Sequence, residues 1–404
     1  MVDRTPQPPR NTVVVRRVTV ENFRSIARCE VELLPLTFLV GPNGAGKSNF
    51  LDVMRLVADA LRSSLAHVLR DRGGIDDVCR RAGVRSPHFA LRLDLTLPGG
   101  DRGHYALQVG ATSRSGFEIQ REECVLGPAW FDVVAGSVRS SAAVHPPASS
   151  DRLYLVNAAG LPAFRPVYDS LSRMGFYNLH PEVMRTVQPL DPSPLLARDG
   201  LNLASTLDRM AQHDPQSKRR VEEFLATVVP GLEGVDANVV EHAATVVFKQ
   251  RHGATQSCTY HAGQQSDGTL RALGLLIALF QKDDQGAISL VGLEEPEAAM
   301  HPGAVGALLG ALREASLQTQ VLVTTHSPDL LDDESVTADS LRAVVAQEGA
   351  TLIAPIDVPS QSALRDHLYT AGELLRLNQL SPELEGMGRL GSRKLQFFDN
   401  PGRE

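Results

Sequence analysis

The most constraining feature of this chain is one octapeptide, Gly41-Pro42-Asn43-Gly44-Ala45-Gly46-Lys47-Ser48, which has the G-x-x-x-x-G-K-S/T spacing of a phosphate-binding loop. An isolated match of that length arises by chance in roughly one chain of this size in a hundred. Its flanks argue against chance. Leu33 to Val40 is an apolar run of strand character, and Phe50, Met54, Val57 and Leu61 then recur on one face of a helix. Strand, glycine-rich turn and helix is the order in which backbone N–H groups and a helix N-terminus converge on a phosphate. A bound nucleotide is therefore expected against Gly41, Asn43, Gly44, Ala45, Gly46, Lys47, Ser48 and Asn49. Lys47 would reach the β and γ phosphates and act on the reacting one, and Ser48 would hold Mg²⁺.

Two further strand ends carry residues suited to the same chemistry. Ile288 to Leu293 reads as a buried strand ending in Glu294-Glu295-Pro296-Glu297, and α/β sheets bind ligands at the carboxyl ends of their strands. The first carboxylate, Glu294, would hold the metal through water, and the second, Glu295, would polarise an attacking water. Gln320 to Thr325 is a third strand, ending in His326-Ser327-Pro328. One helix length, around Val305 to Leu312, separates it from the acidic strand, as expected for a crossover between adjacent parallel strands. His326 would there sense or stabilise the γ-phosphate. A fourth element, Gln264 to Arg271, precedes an apolar helix. Ser266 or Asp267 suits its N-cap, and the same terminus could bind a second phosphate group.

The rest of the chain divides around these motifs. Residues 1–12 read as a disordered tail, and 13–160 as the N-terminal part of an α/β head with a β subdomain. A first strand runs over Val13 to Phe23, alternating antiparallel strands cover Phe89 to Cys124, and Val134 to Ser150 reads as a loop. Residues 161–235 read as a compact helical insertion, in which Asp214-Pro215 starts a helix that Pro230-Gly231 stops. Residues 236–378 complete the head, and 379–404 form a C-terminal tail. No heptad persists, so no coiled-coil arm is expected. The net charge of -7 gives no positive field over the whole molecule. Basic stretches at Arg70 to Arg85 and Lys218 to Arg220 are interspersed with acidic residues or short, so DNA or RNA is a candidate partner only. Four scattered cysteines exclude a zinc knuckle and a disulfide framework. No apolar run spans a bilayer and no signal segment opens the chain, so a cytoplasmic location is expected.

Together these motifs resemble the ABC-type ATPases of the RecF and SMC branch, and within it the compact bacterial ATPases related to the heads of the OLD nucleases. The resemblance rests on Glu21-Asn-Phe-Arg-Ser-Ile26, the loop from Gly41 to Asn49, Ser266-Asp-Gly-Thr269, Glu294 to Glu297 followed by His301-Pro302, and Thr324-Thr-His-Ser-Pro328, in that order. It implies an α/β P-loop NTPase fold, an ABC-type head with an antiparallel β subdomain and a helical insertion, using ATP and Mg²⁺. It also implies a homodimer with ATP at its interface. In such a dimer Ser266 and Gly268 contact the γ-phosphate bound by the other subunit, Glu295 is the catalytic base, His326 the switch histidine, and Arg24 a contact to the nucleotide.

Two departures stand out against that family. Glu294 replaces the usual aspartate and is one methylene longer. The Q-loop glutamine has no assignable match, since Gln108 and Gln120 serve equally. After His326 the chain reads as a hairpin, Leu341 to Ile356, and a helix from about Ser360 to Leu377. That is too little for the Toprim nuclease domain of OLD proteins, so no nuclease activity is expected. The SDGT signature in place of LSGGQ argues against a transporter subunit. The function expected is ATP hydrolysis in DNA repair or anti-phage defence, with a separately encoded effector such as a nuclease as candidate partner. The alternative is a slow or non-hydrolysing ATP-dependent switch that recruits a partner protein.

Overall fold

The computed structural model describes residues 14–80, 88–97, 99–112, 116–193, 195–252, 256–283, 286–383 and 395–402. The expected tail at 1–12 lies outside them, as do Arg81 and Arg85 of the first basic stretch.

A six-stranded sheet organises the fold, in the order Ala350–Pro355, Leu341–Gln347, Leu36–Val40, Gln320–Thr325, Leu290–Glu294, Gly175–Tyr177. All neighbours are parallel except the first pair. Parallel strands covered on both faces must be apolar on both, and these are. Alternate side chains feed two different cores. Leu39, Leu290 and Leu322 point into one, while Phe38, Val40, Val291, Leu293, Val321 and Val323 point into the other.

The first core is shared with the helix Lys47–Arg62, whose Phe50, Met54, Val57 and Leu61 are buried as the spacing predicts. Its far wall is a seven-stranded antiparallel sheet, in the order Ile26–Glu32, Val14–Phe23, His88–Thr96, Arg102–Ala111, Phe117–Leu126, Ala129–Val134, Ser137–Ser140. Gly292 makes this packing feasible, because a Cβ there would lie 2.5 Å from Phe176 Cδ1 and 3.2 Å from Leu51 Cδ2. The second core takes in the helices Leu203–His213, Pro215–Val228, Asp267–Phe280 and Pro302–Ser316. Beside them lies a small sheet in which Ala243–His252 pairs with both Leu232–Val240 and Gln256–His261.

Four expectations are refined by the structure. The stretch between 160 and 230 is not helical throughout. Gly175–Tyr177 is a strand of the central sheet, too short to show alternation. Part of the expected loop at Val134 to Ser150 is strand, since Ser137–Ser140 continues the antiparallel sheet. The single helix expected from Ser360 to Leu377 is two, Val358–Arg365 and Ala371–Arg376. Between them His367 takes φ +53°, and a reciprocal cap between Thr370 and Glu373 restarts the helix. In the C-terminal tail, residues 395–402 pack on the antiparallel sheet: Phe397 is buried, and Asp399 pairs with Arg92 at 2.7 Å. The cap at Asp214 is as expected, its carboxylate accepting from Ser217 N at 3.1 Å.

Candidate nucleotide-binding site

The loop between the strand Leu36–Val40 and the helix Lys47–Arg62 is shaped by what lies behind it. Gly44 and Gly46 take φ of +76° and +101°, which favours glycine. A Cβ at Gly41 would lie 2.0 Å from the Val344 carbonyl oxygen, and one at Gly46 2.0 Å from Thr351 Oγ1. Thr351 donates to the Ala45 carbonyl at 2.9 Å and lies 2.7 Å from Ser25 Oγ. Ser25 Oγ in turn accepts from Asn49 Nδ2 at 2.6 Å. The hairpin Leu341 to Pro355 and the turn at Arg24–Ser25 therefore hold the loop from behind. A Cβ at Gly44 would meet nothing within 4 Å, so the loop's other side faces open space.

Lys47 is buried and folds back on its own loop, donating to the Gly41 carbonyl at 2.7 Å and the Pro42 carbonyl at 3.0 Å. Burial pulls its ammonium below the ordinary lysine range, against the opposing pull of the Glu295 and Glu297 carboxylates. Ser48 is exposed in the first turn. Arg24 is engaged elsewhere than in the loop. Its guanidinium pairs with Asp52 at 2.9 Å, and Asp52 also receives Arg55 and Arg72. Burial pushes the Asp52 carboxyl up, and the guanidinium groups of Arg55, Arg72 and Arg24 outweigh it, leaving it below the ordinary range.

The acidic and histidine strands deliver their ends side by side, with Glu294 level with Thr324 in the parallel register. Glu295 turns back in the left-handed region at φ +45°, its N–H on the Thr324 carbonyl at 3.0 Å. That turn brings Glu295 Oε1 to 3.1 Å from His326 Nδ1. Glu294 points to another partner, accepting from Arg198 Nη2 at 2.8 Å.

Three residues that the motif reading did not single out complete the constellation. Glu297 is buried and accepts the Thr325 hydroxyl on Oε1, while its Oε2 is buried with no hydrogen-bond partner. Burial pushes this carboxyl above its ordinary range. Arg271, from the helix Asp267–Phe280, donates to the Glu295 carbonyl at 3.2 Å. Arg198 comes from a loop more than ninety residues before its partner, as the hydrogen bond spans 96 positions. Glu297 and Arg271 stood within the motifs themselves, whereas nothing local marks Arg198.

Ser266 caps the helix Asp267–Phe280, accepting from Thr269 N at 3.1 Å, and is exposed. Gly268 is required within the chain itself, because a Cβ there would lie 2.7 Å from the Ala299 carbonyl oxygen. Among the described residues no hydrogen bond or ion pair joins Ser266–Thr269 to the loop Gly41–Ser48. One chain thus gathers Lys47, Glu295, Glu297 and His326, and leaves the serine-capped terminus facing outward. Gln108 and Gln120 lie in the antiparallel sheet and bond one another at 2.8 Å.

The donor set fits a metal nucleotide. A backbone cradle closed to side chains behind and open in front suits phosphates. The exposed Ser48 hydroxyl and the Glu294 carboxylate are hard oxygen ligands of the kind Mg²⁺ prefers.

Comparison with known proteins agrees with this geometry. A family model described as "AAA domain, putative AbiEii toxin, Type IV TA system" matches residues 138–332, and an "AAA ATPase domain" model matches residues 14–81. No curated protein matches the chain in sequence. Among solved structures, an Smc head bound to the C-winged helix domain of ScpA superimposes with a TM-score of 0.54 at 12% identity, covering 86% of this chain and 98% of that one. The Smc head domain with an extended coiled coil bound to the C-terminal domain of ScpA, from Pyrococcus furiosus, gives a TM-score of 0.52 at 11% identity, covering 88% and 99%. The chain thus matches AAA-type ATPase domain models over residues 14–81 and 138–332 and has the fold of Smc head domains.

Proposed function

We propose that this protein binds Mg²⁺·ATP in the loop Gly41–Asn49 and hydrolyses it in a dimer, each ATP lying between one chain's loop and the other chain's Ser266–Thr269 terminus. The observation that carries the reading is the 3.1 Å approach of Glu295 and His326 at the strand ends beside Lys47. In the proposed reaction Lys47 leaves the Gly41 and Pro42 carbonyls for the phosphates. Glu295 accepts a proton from the attacking water, and His326 holds that carboxylate in place and contacts the γ-phosphate. Ser48, and Glu294 through water, would hold Mg²⁺, which would supply neutralisation of the phosphate charge. Ser266 and Gly268 present helix-terminal N–H groups across the interface, excluding water there. Arg24 acts on the site through Asp52 and the helix that follows Lys47.

A second reading, a slow switch that recruits a partner protein, is favoured by the pairing of Glu294 with Arg198. For the biological setting, the family description that names a toxin of a toxin–antitoxin system favours defence over DNA repair. The Smc heads bound to ScpA domains favour a protein partner. No membrane association is proposed, and among the described residues no helix is long and apolar enough to cross one.

Phosphate release in the presence of Mg²⁺ tests the reading. Lys47→Ala should lose nucleotide binding, and Glu295→Gln should bind ATP and fail to turn it over. Undiminished turnover in Glu295→Gln would remove that residue from the base role, and wild-type protein that binds ATP without turnover would leave the switch.

A further inference from the structure

The loop that carries Arg198 is anchored by hydrogen bonds of its own backbone, and its side chain reaches out to Glu294. Leu196 N donates to Gln281 Oε1 at 2.8 Å, Ala197 N to Asn202 Oδ1 at 2.6 Å, and Asn202 Nδ2 to the Leu195 carbonyl at 2.9 Å. The Arg198 carbonyl accepts from Asn178 N at 3.0 Å, at the carboxyl end of the strand Gly175–Tyr177. That strand neighbours the acidic one, so the guanidinium reaches across one strand spacing to Glu294. The Arg198 side chain is 46% exposed and that of Glu294 17%. Glu294 is the only side-chain partner of Arg198 among the described residues.

We infer that Arg198 is a built-in competitor of the metal: its guanidinium neutralises Glu294 in the nucleotide-free protein, and Mg²⁺ arriving with nucleotide must displace it. This inference rests on the reading of the site as a Mg²⁺·ATP site. The physical argument is one of charge. A guanidinium 2.8 Å from the carboxylate neutralises it and repels a dication brought to the same group, so the two cations compete for Glu294. The displaced guanidinium is then available to the incoming phosphates. Loading of the metal is thereby linked to loading of the triphosphate, and the departure from the shorter aspartate acquires a reason. The extra methylene extends the carboxylate toward an arginine on the next strand's loop.

The test titrates Mg²⁺ against binding of a fluorescent ATP analogue, without hydrolysis as a readout. Arg198→Ala should lower the half-saturating Mg²⁺ by about three- to five-fold, the size expected of a half-exposed ion pair. Arg198→Lys, which keeps the charge, should fall between. In a Glu294→Gln background Arg198→Ala should produce no further drop. The sign is decisive, because an arginine that merely attracts phosphate would on removal raise the Mg²⁺ requirement. An unchanged or raised half-saturation in Arg198→Ala, or a drop that persists in the Glu294→Gln background, overturns the inference. Wild-type protein that binds no Mg²⁺·nucleotide would instead overturn the reading of the site.

Discussion

Glu297 braces the turn that carries His326. Its Oε1 receives the Thr325 hydroxyl, and Thr325 Oγ1 accepts from Ser327 N at 3.0 Å, so the bond straddles His326. A buried carboxylate with one unpartnered oxygen is costly, and it persists here beside the Lys47 ammonium. Removing it should loosen the turn that aims His326 at Glu295. Glu297→Ala is expected to lower kcat about ten-fold or more with KM within a factor of a few, and Glu297→Gln, which can still accept from Thr325, to retain more activity. Steady-state phosphate release separates these outcomes, and an unaffected Glu297→Ala enzyme would reduce the residue to packing. At this scale Lys47, Glu295 and His326 were legible in the chain because short motifs place them at fixed offsets from strand ends. Arg198 was not, since its site position depends on a loop folding back over 96 positions. The engagement of Arg24 by Asp52 was equally hidden, because it depends on how the first turn packs on a helix one turn past the loop.

The elements are joined by buried polar contacts, one set of them in the β subdomain. Glu122, on the strand Phe117–Leu126, accepts from Tyr154 N at 2.6 Å, Leu155 N at 2.8 Å and Tyr105 Oη at 3.0 Å, fixing the start of the helix Tyr154–Ala158. Burial pushes its carboxyl up from 4.5 to about 7, although all three donors pull it down. The folded protein therefore keeps this proton to about pH 7, while an unfolded chain releases its own near the ordinary value. Stability is thus lost as pH rises across that window, by on the order of 3 kcal/mol from this group. Urea unfolding from pH 4.5 to 7.5 should show a steeper loss in wild type than in Glu122→Gln, and parallel curves would contradict it. Long elements of this fold were legible, such as the crossover helix Pro302–Ser316 between adjacent parallel strands. Gly175–Tyr177 was not, because three residues carry no periodicity and their strand character comes from pairing with Leu290–Glu294.

For the whole molecule, the two cores divide the work. One ties the phosphate loop to the antiparallel sheet, and the other ties the serine-capped helix to the acidic strand through Arg271 and Gly268. Arg271, on the helix that Ser266 caps, bonds the Glu295 carbonyl, so the outward-facing terminus and the acidic strand end are joined within one chain. The resemblance of the whole fold to known heads was visible in the order of five short motifs. The proposed dimer is a matter of surfaces, which a single chain's pattern does not encode. The most direct measurement mixes two inactive proteins, Lys47→Ala and Ser266→Arg, and follows phosphate release. Ser266→Arg alone should bind ATP nearly as well as wild type and hydrolyse none, because it lies across the interface from the nucleotide it affects. A shared site predicts that the mixture regains activity, up to one working site per heterodimer, and that Glu295→Gln gains mass in light scattering only with ATP. No regained activity, together with an unchanged mass in the presence of ATP, would contradict it.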